Sequence, residues 1–201
     1  MTLPEFLSHH HKTHLIFDFD ETLFWLVMDW NIFISAMQKN LAPLDPVLYA
    51  DFVEQKISLT GTLSAYSKQC GAKVKQQINA MALAFEEQAF EQAVPNPDLI
   101  DFVRANRDRY QMTIWSSNTS NIIGRVLEEN NLSDVFIKVV SLLDVALLKP
   151  YPDGFASLRV AGVPLEHYLM IGNSQADAGA AKAVGIDYFH VDYFSKKSQS
   201  D

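Results

Sequence analysis

Apolar positions along this chain fall in two kinds of block. Short continuous runs occur at 15–17 (LIF), 110–116 (YQMTIWS), 136–140 (FIKVV), 167–171 (HYLMI) and 186–190 (IDYFH), each followed by small or polar residues. An unbroken apolar run of this length, rather than a strict alternation, is the mark of a strand covered on both faces, as in a parallel sheet. Between the runs, apolar residues recur at helical spacing over 97–108, 119–129, 153–161 and 176–184, several of these segments opening on Pro, Ser, Thr or Asp and closing on Gly or Asn. The regular alternation predicts an α/β fold: a parallel sheet joined by right-handed crossovers, with helices on both faces.

One interval breaks the rhythm. About 90 residues separate the first two strands, where a single crossover unit needs roughly 30. The excess reads as almost entirely helical, in the segments DWNIFISAMQKNLA, PVLYADFVEQKI, LSAYSKQC and KVKQQINAMALAFEEQAFEQA, with breaks at Pro43, Pro46, Gly61 and Gly71. Residues 1–24 and 94–201 are therefore expected to form the core domain and residues 25–93 an all-helical cap. An insert after the first strand emerges at the carboxyl edge of the sheet, where open α/β folds bind ligands, so it is placed to act as a lid.

Composition narrows the function. The 201 residues are 48% hydrophobic and 20% charged, enough for one core domain plus a small insert. A formal charge of -8 and a pI near 5.2 argue against a nucleic-acid surface. The longest apolar stretch, LFWLVMDWNIFI, is interrupted by Asp29 and Asn31 and falls short of the roughly 20 residues of a membrane span. No basic region leads into an apolar stretch and cleavage site, so no signal peptide is expected. The single cysteine, Cys70, cannot form an internal disulfide and reads as a small semi-buried side chain, which favours a reducing cytoplasm. His9, His10, His11 and His14 read as a solvated tail or an incidental transition-metal site.

The chemistry begins in HLIFDFDETLF, residues 14–24, where a buried strand runs straight into acids. Burying carboxylates is unfavourable unless a cation or a reaction compensates. Four groups fall at strand ends or in the loops beyond: Asp18, Asp20 and Thr22; Ser116, Ser117 and Asn118; Lys149 in LKPYPDGF; and Asn173 to Asp177 in IGNSQADAGAAKAVGI. One group per successive loop lets all four converge on one crevice. Alone, each has a plainer reading: Ser116, Ser117 and Asn118 as caps for a helix near Thr119, Asp177 as a helix opener, Lys149 as a solvated charge.

Together, these motifs resemble those of the haloacid dehalogenase superfamily of phosphotransfer enzymes, over nearly the whole core. Asp18, Asp20 and Thr22 match Asp-x-Asp-x-Thr, Ser116 matches the strand-ending Ser or Thr, and Lys149 matches the third motif with its KPxPD continuation. The helical insert is similar to the cap of the phosphoglycolate phosphatase-like and β-phosphoglucomutase-like subgroup, and the core is then Rossmann-like. The resemblance implies that Asp18 is the nucleophile and forms an aspartyl-phosphate, that Asp20 is general acid and base, and that Lys149 offsets charge. It implies further that Ser116, with N–H groups near Ser117 and Asn118, holds phosphate oxygens. Mg2+ is the implied cofactor, taken by the Asp18 carboxylate, the Asp20 carbonyl and the fourth motif, Asn173 and Asp177.

Two positions depart from the pattern. Glu21 stands where many relatives carry glycine, and Asn173 stands where the fourth motif carries its first acid. A neutral amide at 173 implies either an enzyme with a weaker metal site or a fold that binds without turnover. The expected function is a magnesium-dependent phosphatase of a small phosphorylated metabolite, with no nucleic-acid or membrane partner. The alternatives are a phosphomutase and a non-catalytic phospho-ligand module. A phosphonate hydrolase would need a cap lysine in the site, and Lys39, Lys56, Lys68, Lys73 and Lys75 read as solvated. Phe24, Trp25, Trp30 and Tyr66 read as core, with the pocket wall as their alternative place.

Overall fold

The computed structural model describes residues 1–192. Helix α1 (Leu3–His9) leads into strand β1 (His14–Phe17). Strand β2 (Phe24–Met28) follows, then α2 (Trp30–Asn40), α3 (Pro46–Val53), α4 (Leu59–Cys70), α5 (Ala72–Ala89) and strand β3 (Phe90–Pro95). Thereafter α6 (Pro97–Ala105), β4 (Gln111–Trp115), α7 (Ser120–Glu129), β5 (Lys138–Val140), α8 (Asp153–Leu158), β6 (Tyr168–Gly172), α9 (Gln175–Val184) and β7 (Asp187–His190) alternate in the expected order.

The main sheet has the order β5-β4-β1-β6-β7 with every pair parallel. β1 is central because its apolar residues face helices on both sides: Leu15, Ile16 and Phe17 are no more than 1% exposed. Successive residues point to opposite faces. Ile16, Trp115 and Met170 pack with Phe155 of α8 and Ala180 of α9. Leu15, Phe17 and Ile114 pack with Val103 of α6, Ile123 of α7 and Leu7 of α1. Fully burying each large side chain contributes about 1.5–3 kcal/mol, so this four-residue strand anchors both layers. The chain crosses from one side of β1 to the other between β5 and β6, which opens a crevice at the carboxyl end of β1.

The insert is not helical throughout. It leaves the core through β2 and returns through β3, paired antiparallel with Phe24 opposite Pro95 and Met28 opposite Phe90. Two chain segments crossing side by side leave backbone donors and acceptors to satisfy, and strand pairing does so. α5 accordingly ends at Ala89, where Phe90 turns extended. Gly61 does not break a helix either. It sits in the first turn of α4, its N–H donating to the Ser58 hydroxyl at 3.2 Å. Gly71, at φ +79, does separate α4 from α5.

The chain start packs as a helix rather than a loose tail, although His9, His10 and His11 stay exposed to solvent. Thr2 and Glu5 form a capping box for α1, whose Leu3 and Leu7 are buried. The His10 ring stacks on Phe6 at 4.0 Å and His14 opens β1, so the histidines are spread over separate elements. Cys70 is exposed at the end of α4 rather than semi-buried. No described helix is long and apolar enough to cross a membrane.

Candidate active site

The extended path of β1 continues one residue further, the Asp18 N–H donating to the Ile171 carbonyl at 2.8 Å. The chain then turns tightly. The N–H groups of Leu23 and Phe24 both donate to the Phe19 carbonyl, and Glu21 adopts φ +61. Phe19 is fully buried in the core cluster, while Asp18 and Asp20 on either side of it face the crevice. Asp20 is fixed from behind: its Oδ1 accepts the Leu26 N–H at 2.9 Å, so the first ribbon strand positions it. Buried Thr22 places its hydroxyl 3.2 Å from Asp18 Oδ2 and 3.3 Å from Asn173 Oδ1.

Lys149 is 3% exposed, not a solvated charge. Its Nζ donates to Asp18 Oδ1 at 2.6 Å, to Asp177 Oδ1 at 2.5 Å and to the Trp115 carbonyl at 2.8 Å, which uses all three ammonium hydrogens. Asp177 is fully buried, and its Oδ2 accepts from the backbone and hydroxyl of Ser174 at 3.0 and 2.6 Å in a capping box that opens α9. It is thus both helix opener and anchor of Lys149, with both oxygens engaged. Close packing of this corner requires glycine: a Cβ on Gly172 would lie 2.5 Å from Asp177 Oδ2, and one on Gly179 would lie 2.7 Å from Pro150 Cβ.

Burial and the charge of Asp177 push the Asp18 carboxyl up to about 6, against the pull of Lys149, whose single charge is divided between two carboxylates. Burial pushes Asp20 up to about 8. Burial alone would lower Lys149, but the carboxylates of Asp177 and Asp18 hold it above its ordinary value. The two acids of the first motif are therefore held apart in protonation, the arrangement that assigns one carboxyl to ionised work and its neighbour to proton donation.

Ser116 Oγ donates to Asn118 Oδ1 at 3.0 Å and accepts the Asn118 N–H at 3.1 Å, so these side chains bond to each other rather than capping α7. The helix cap is Thr119, and the group that meets its N–H comes from the insert. Glu86 of α5 accepts from the Thr119 N–H at 3.0 Å, from the Thr119 hydroxyl and from Asn118 Nδ2 at 3.3 Å. Its carboxyl is buried and pushed up by that burial. Sequence reasoning missed Glu86. The signal lay in helical spacing, since Glu86 falls on the apolar stripe of Ile78, Ala82, Phe85 and Ala89.

Asn173 donates from Nδ2 to Glu21 Oε2 at 3.0 Å, which leaves its Oδ1 turned toward Thr22 and Asp18. The two departures from the family pattern thus meet in one contact. Asp18, Asp20, Ser116, Ser117, Asn118, Lys149 and Asn173 all line one cavity of about 480 Å³. Trp30, Phe33, Leu63, Phe85 and Glu86 close it from the insert. Of the four aromatics singled out in the sequence, only Trp30 reaches this wall. Phe24 and Tyr66 are fully buried in the core, and Trp25 lies opposite Val94 in the ribbon. Lys75 is not solvated: its Nζ donates to the Leu142 carbonyl at 2.8 Å and to Asn79. No insert lysine lines the cavity among the described residues.

No group of three or more His, Cys, Asp and Glu side chains is assembled for a metal among the described residues. The donors gathered around Thr22 are instead one carboxylate and one amide oxygen, from Asp18 and Asn173. Hard oxygen donors of this kind fit magnesium, which takes few protein ligands and retains water.

The sequence pattern of the haloacid dehalogenase-like hydrolases matches residues 15–191. Solved structures share the fold. A hydrolase from Pseudomonas syringae is 22% identical, with 89% of this chain and 84% of that one covered and a TM-score of 0.62. CbbY from Rhodobacter sphaeroides, solved in complex with phosphate, is 16% identical with coverage of 90% and 86% and a TM-score of 0.60. YfnB from Bacillus subtilis, solved bound to magnesium, is 19% identical with coverage of 89% and 86% and a TM-score of 0.53. No curated protein matches the sequence. Because the family pattern runs from β1 past the last strand and takes in every motif that converges on the cavity, the chain belongs to the haloacid dehalogenase-like hydrolase family.

Proposed function

We propose that the protein is a magnesium-dependent phosphatase of a small phosphorylated metabolite, working through an aspartyl-phosphate on Asp18. The observation that carries this reading is the divergence of two neighbouring carboxyls. Asp18 lies against the Lys149 ammonium at 2.6 Å, while Asp20 is raised to about 8 and held by the Leu26 N–H. An Asp18 oxygen attacks phosphorus as the ester P–O bond breaks, and Asp20 gives its proton to the departing alkoxide. Asp20, now ionised, takes a proton from water as that water attacks the phospho-aspartate, which restores Asp18 and releases phosphate. Lys149 keeps the Asp18 charge from repelling the incoming phosphoryl group, and the Ser116 hydroxyl at the mouth of α7 meets the phosphoryl oxygens. Asp177 serves the site through Lys149, which it holds in place.

Magnesium would be held by the Asp18 carboxylate, the Asp20 backbone carbonyl and Asn173 Oδ1, and would supply positive charge to the phosphoryl oxygens. The charge that Asn173 lacks is carried beside it by Glu21, whose carboxylate accepts from the Asn173 amide. That contact favours turnover over a site that only binds. The test is release of phosphate from p-nitrophenyl phosphate with and without magnesium. Magnesium-dependent release supports the phosphatase. Retention of radiolabelled phosphate without release from the ester at any magnesium concentration assigns the protein to non-catalytic binding.

A further inference from the structure

Resting on that phosphatase reading, we propose that the substrate is a phosphate monoester whose alcohol carries an uncharged, apolar body, with a ring as the best fit, and that the cavity rejects esters bearing a second anionic group.

Lys149 is the only cationic side chain lining the cavity among the described residues, and its three hydrogens are already donated to Asp18, Asp177 and the Trp115 carbonyl. Against it stand Glu21 and Glu86, both in the lining. Glu86 is an anion by its partners, since the Thr119 N–H, the Thr119 hydroxyl and the Asn118 amide all donate to it. A carboxylate or second phosphate on the leaving group would therefore be stripped of water beside buried negative charge, with no counter-charge to meet it. A bisphosphate that reorients in the site, as a mutase requires, meets the same obstacle.

Shape supplies the positive half. The insert presents an aromatic wall in which the Phe85 ring packs at a tilt against Trp30 at 5.0 Å and Phe33 at 5.1 Å. Leu59, Leu63 and Ala82 line the cavity beside this wall, with Leu142 and Leu148 from the core. Phe33 and Phe85 are 3% and 5% exposed, whereas Trp30 is 40% exposed and lines the cavity. A volume of about 480 Å³ accommodates a phosphoryl group and a ring-bearing alcohol together.

The experiment compares kcat/KM, at saturating magnesium, for phosphate esters of primary alcohols: benzyl phosphate, 2-phenylethyl phosphate, glycerol 3-phosphate, phosphoglycolate and fructose 1,6-bisphosphate. The ring esters are expected to exceed each of the others by at least about ten-fold, and Trp30→Ala to reduce the ring-ester value by about five-fold or more. Leu59→Arg, which adds a cation to the lining at a half-buried position, is expected to shift the phosphoglycolate-to-benzyl-phosphate ratio upward by about ten-fold. If phosphoglycolate, the bisphosphate or glycerol phosphate equals the ring esters in the parent protein, the substrate class is wrong while the phosphatase reading stands. If neither the panel nor p-nitrophenyl phosphate is hydrolysed, the phosphatase reading falls and the substrate class falls with it.

Discussion

Replacing Asp20 by Asn should slow the enzyme and stabilise the metal-free fold, and the two effects have one cause. Burial raises the Asp20 carboxyl from an ordinary 3.8 to about 8, so between those values the folded protein holds a proton that the unfolded chain has released. The folded-state value is the higher one. The stabilising contribution is therefore complete below about pH 4 and is lost as pH rises toward 8, by at most about 1.4 kcal/mol per pH unit. From pH 4 to pH 7 the loss reaches on the order of 4 kcal/mol, and an asparagine, which does not titrate, avoids it. The amide oxygen can still accept the Leu26 N–H now received at 2.9 Å, so the turn after β1 is retained. The assay is urea unfolding of parent and Asp20→Asn with magnesium chelated, at pH 5 and pH 8. The variant should gain on the parent as pH rises, while Asp18, present in both, cancels. Turnover should fall by about two to four orders of magnitude, the usual range for a general acid and base, and by less for p-nitrophenyl phosphate than for an alkyl ester. A stability difference independent of pH would refute the buried-acid argument, and a rate loss uniform across leaving groups would refute the proton-donor role.

Asn173→Asp restores an acid beside the proposed magnesium site, but it also replaces the amide that donates to Glu21 at 3.0 Å with a second carboxylate. The single variant should therefore lower the magnesium concentration for half-maximal activity less than Asn173→Asp combined with Glu21→Gly, whose glycine also suits φ +61; equal metal dependence in the parent and both variants would remove Asn173 from the ligand set. Lys149→Met leaves Asp18 and Asp177 buried without a counter-charge, a loss of about 3–5 kcal/mol, which in a chain of this size lowers the melting temperature by about 10 °C. Adding Asp177→Asn should recover part of that loss, and no recovery would place the effect outside the Lys149–Asp177 pair.

What was legible in the sequence was local. The run Leu15 to Phe17 announces a central strand because burial on both faces leaves no polar position, and Asp18 and Asp20 announce chemistry because they follow that strand without a loop. Ser116 and Lys149 were readable for a related reason: each ends or follows a strand whose own pattern is strong. The ribbon was hidden because its pairing is non-local. FWLVM runs into DWNIF, and FEQAVP follows a helical segment, so neither strand shows until its partner some 70 residues away is placed beside it. Glu86 was missed and Lys75 misread as solvated because a helix sequence gives the face a side chain occupies, not the loop of another element that meets it. The pairing of Glu21 with Asn173 joins positions 152 apart, and the mutual fit of the two departures became visible only in the folded chain. At the amino terminus the histidine run drew attention from Thr2, Glu5, Leu3 and Leu7, a capping box and apolar pair that already spelled a packed helix.

Asp18 as the nucleophile is tested most directly by trapping its covalent intermediate. Enzyme and p-nitrophenyl phosphate are mixed with magnesium, quenched in acid within the first turnover and reduced with borohydride, which converts a phosphorylated aspartate to homoserine, and the peptide spanning residues 14–24 is analysed by mass spectrometry. Homoserine at position 18, absent without substrate and absent in Asp18→Asn, is the expected result. Phosphate release with no modified residue, modification at another position, or undiminished turnover by Asp18→Asn would contradict it.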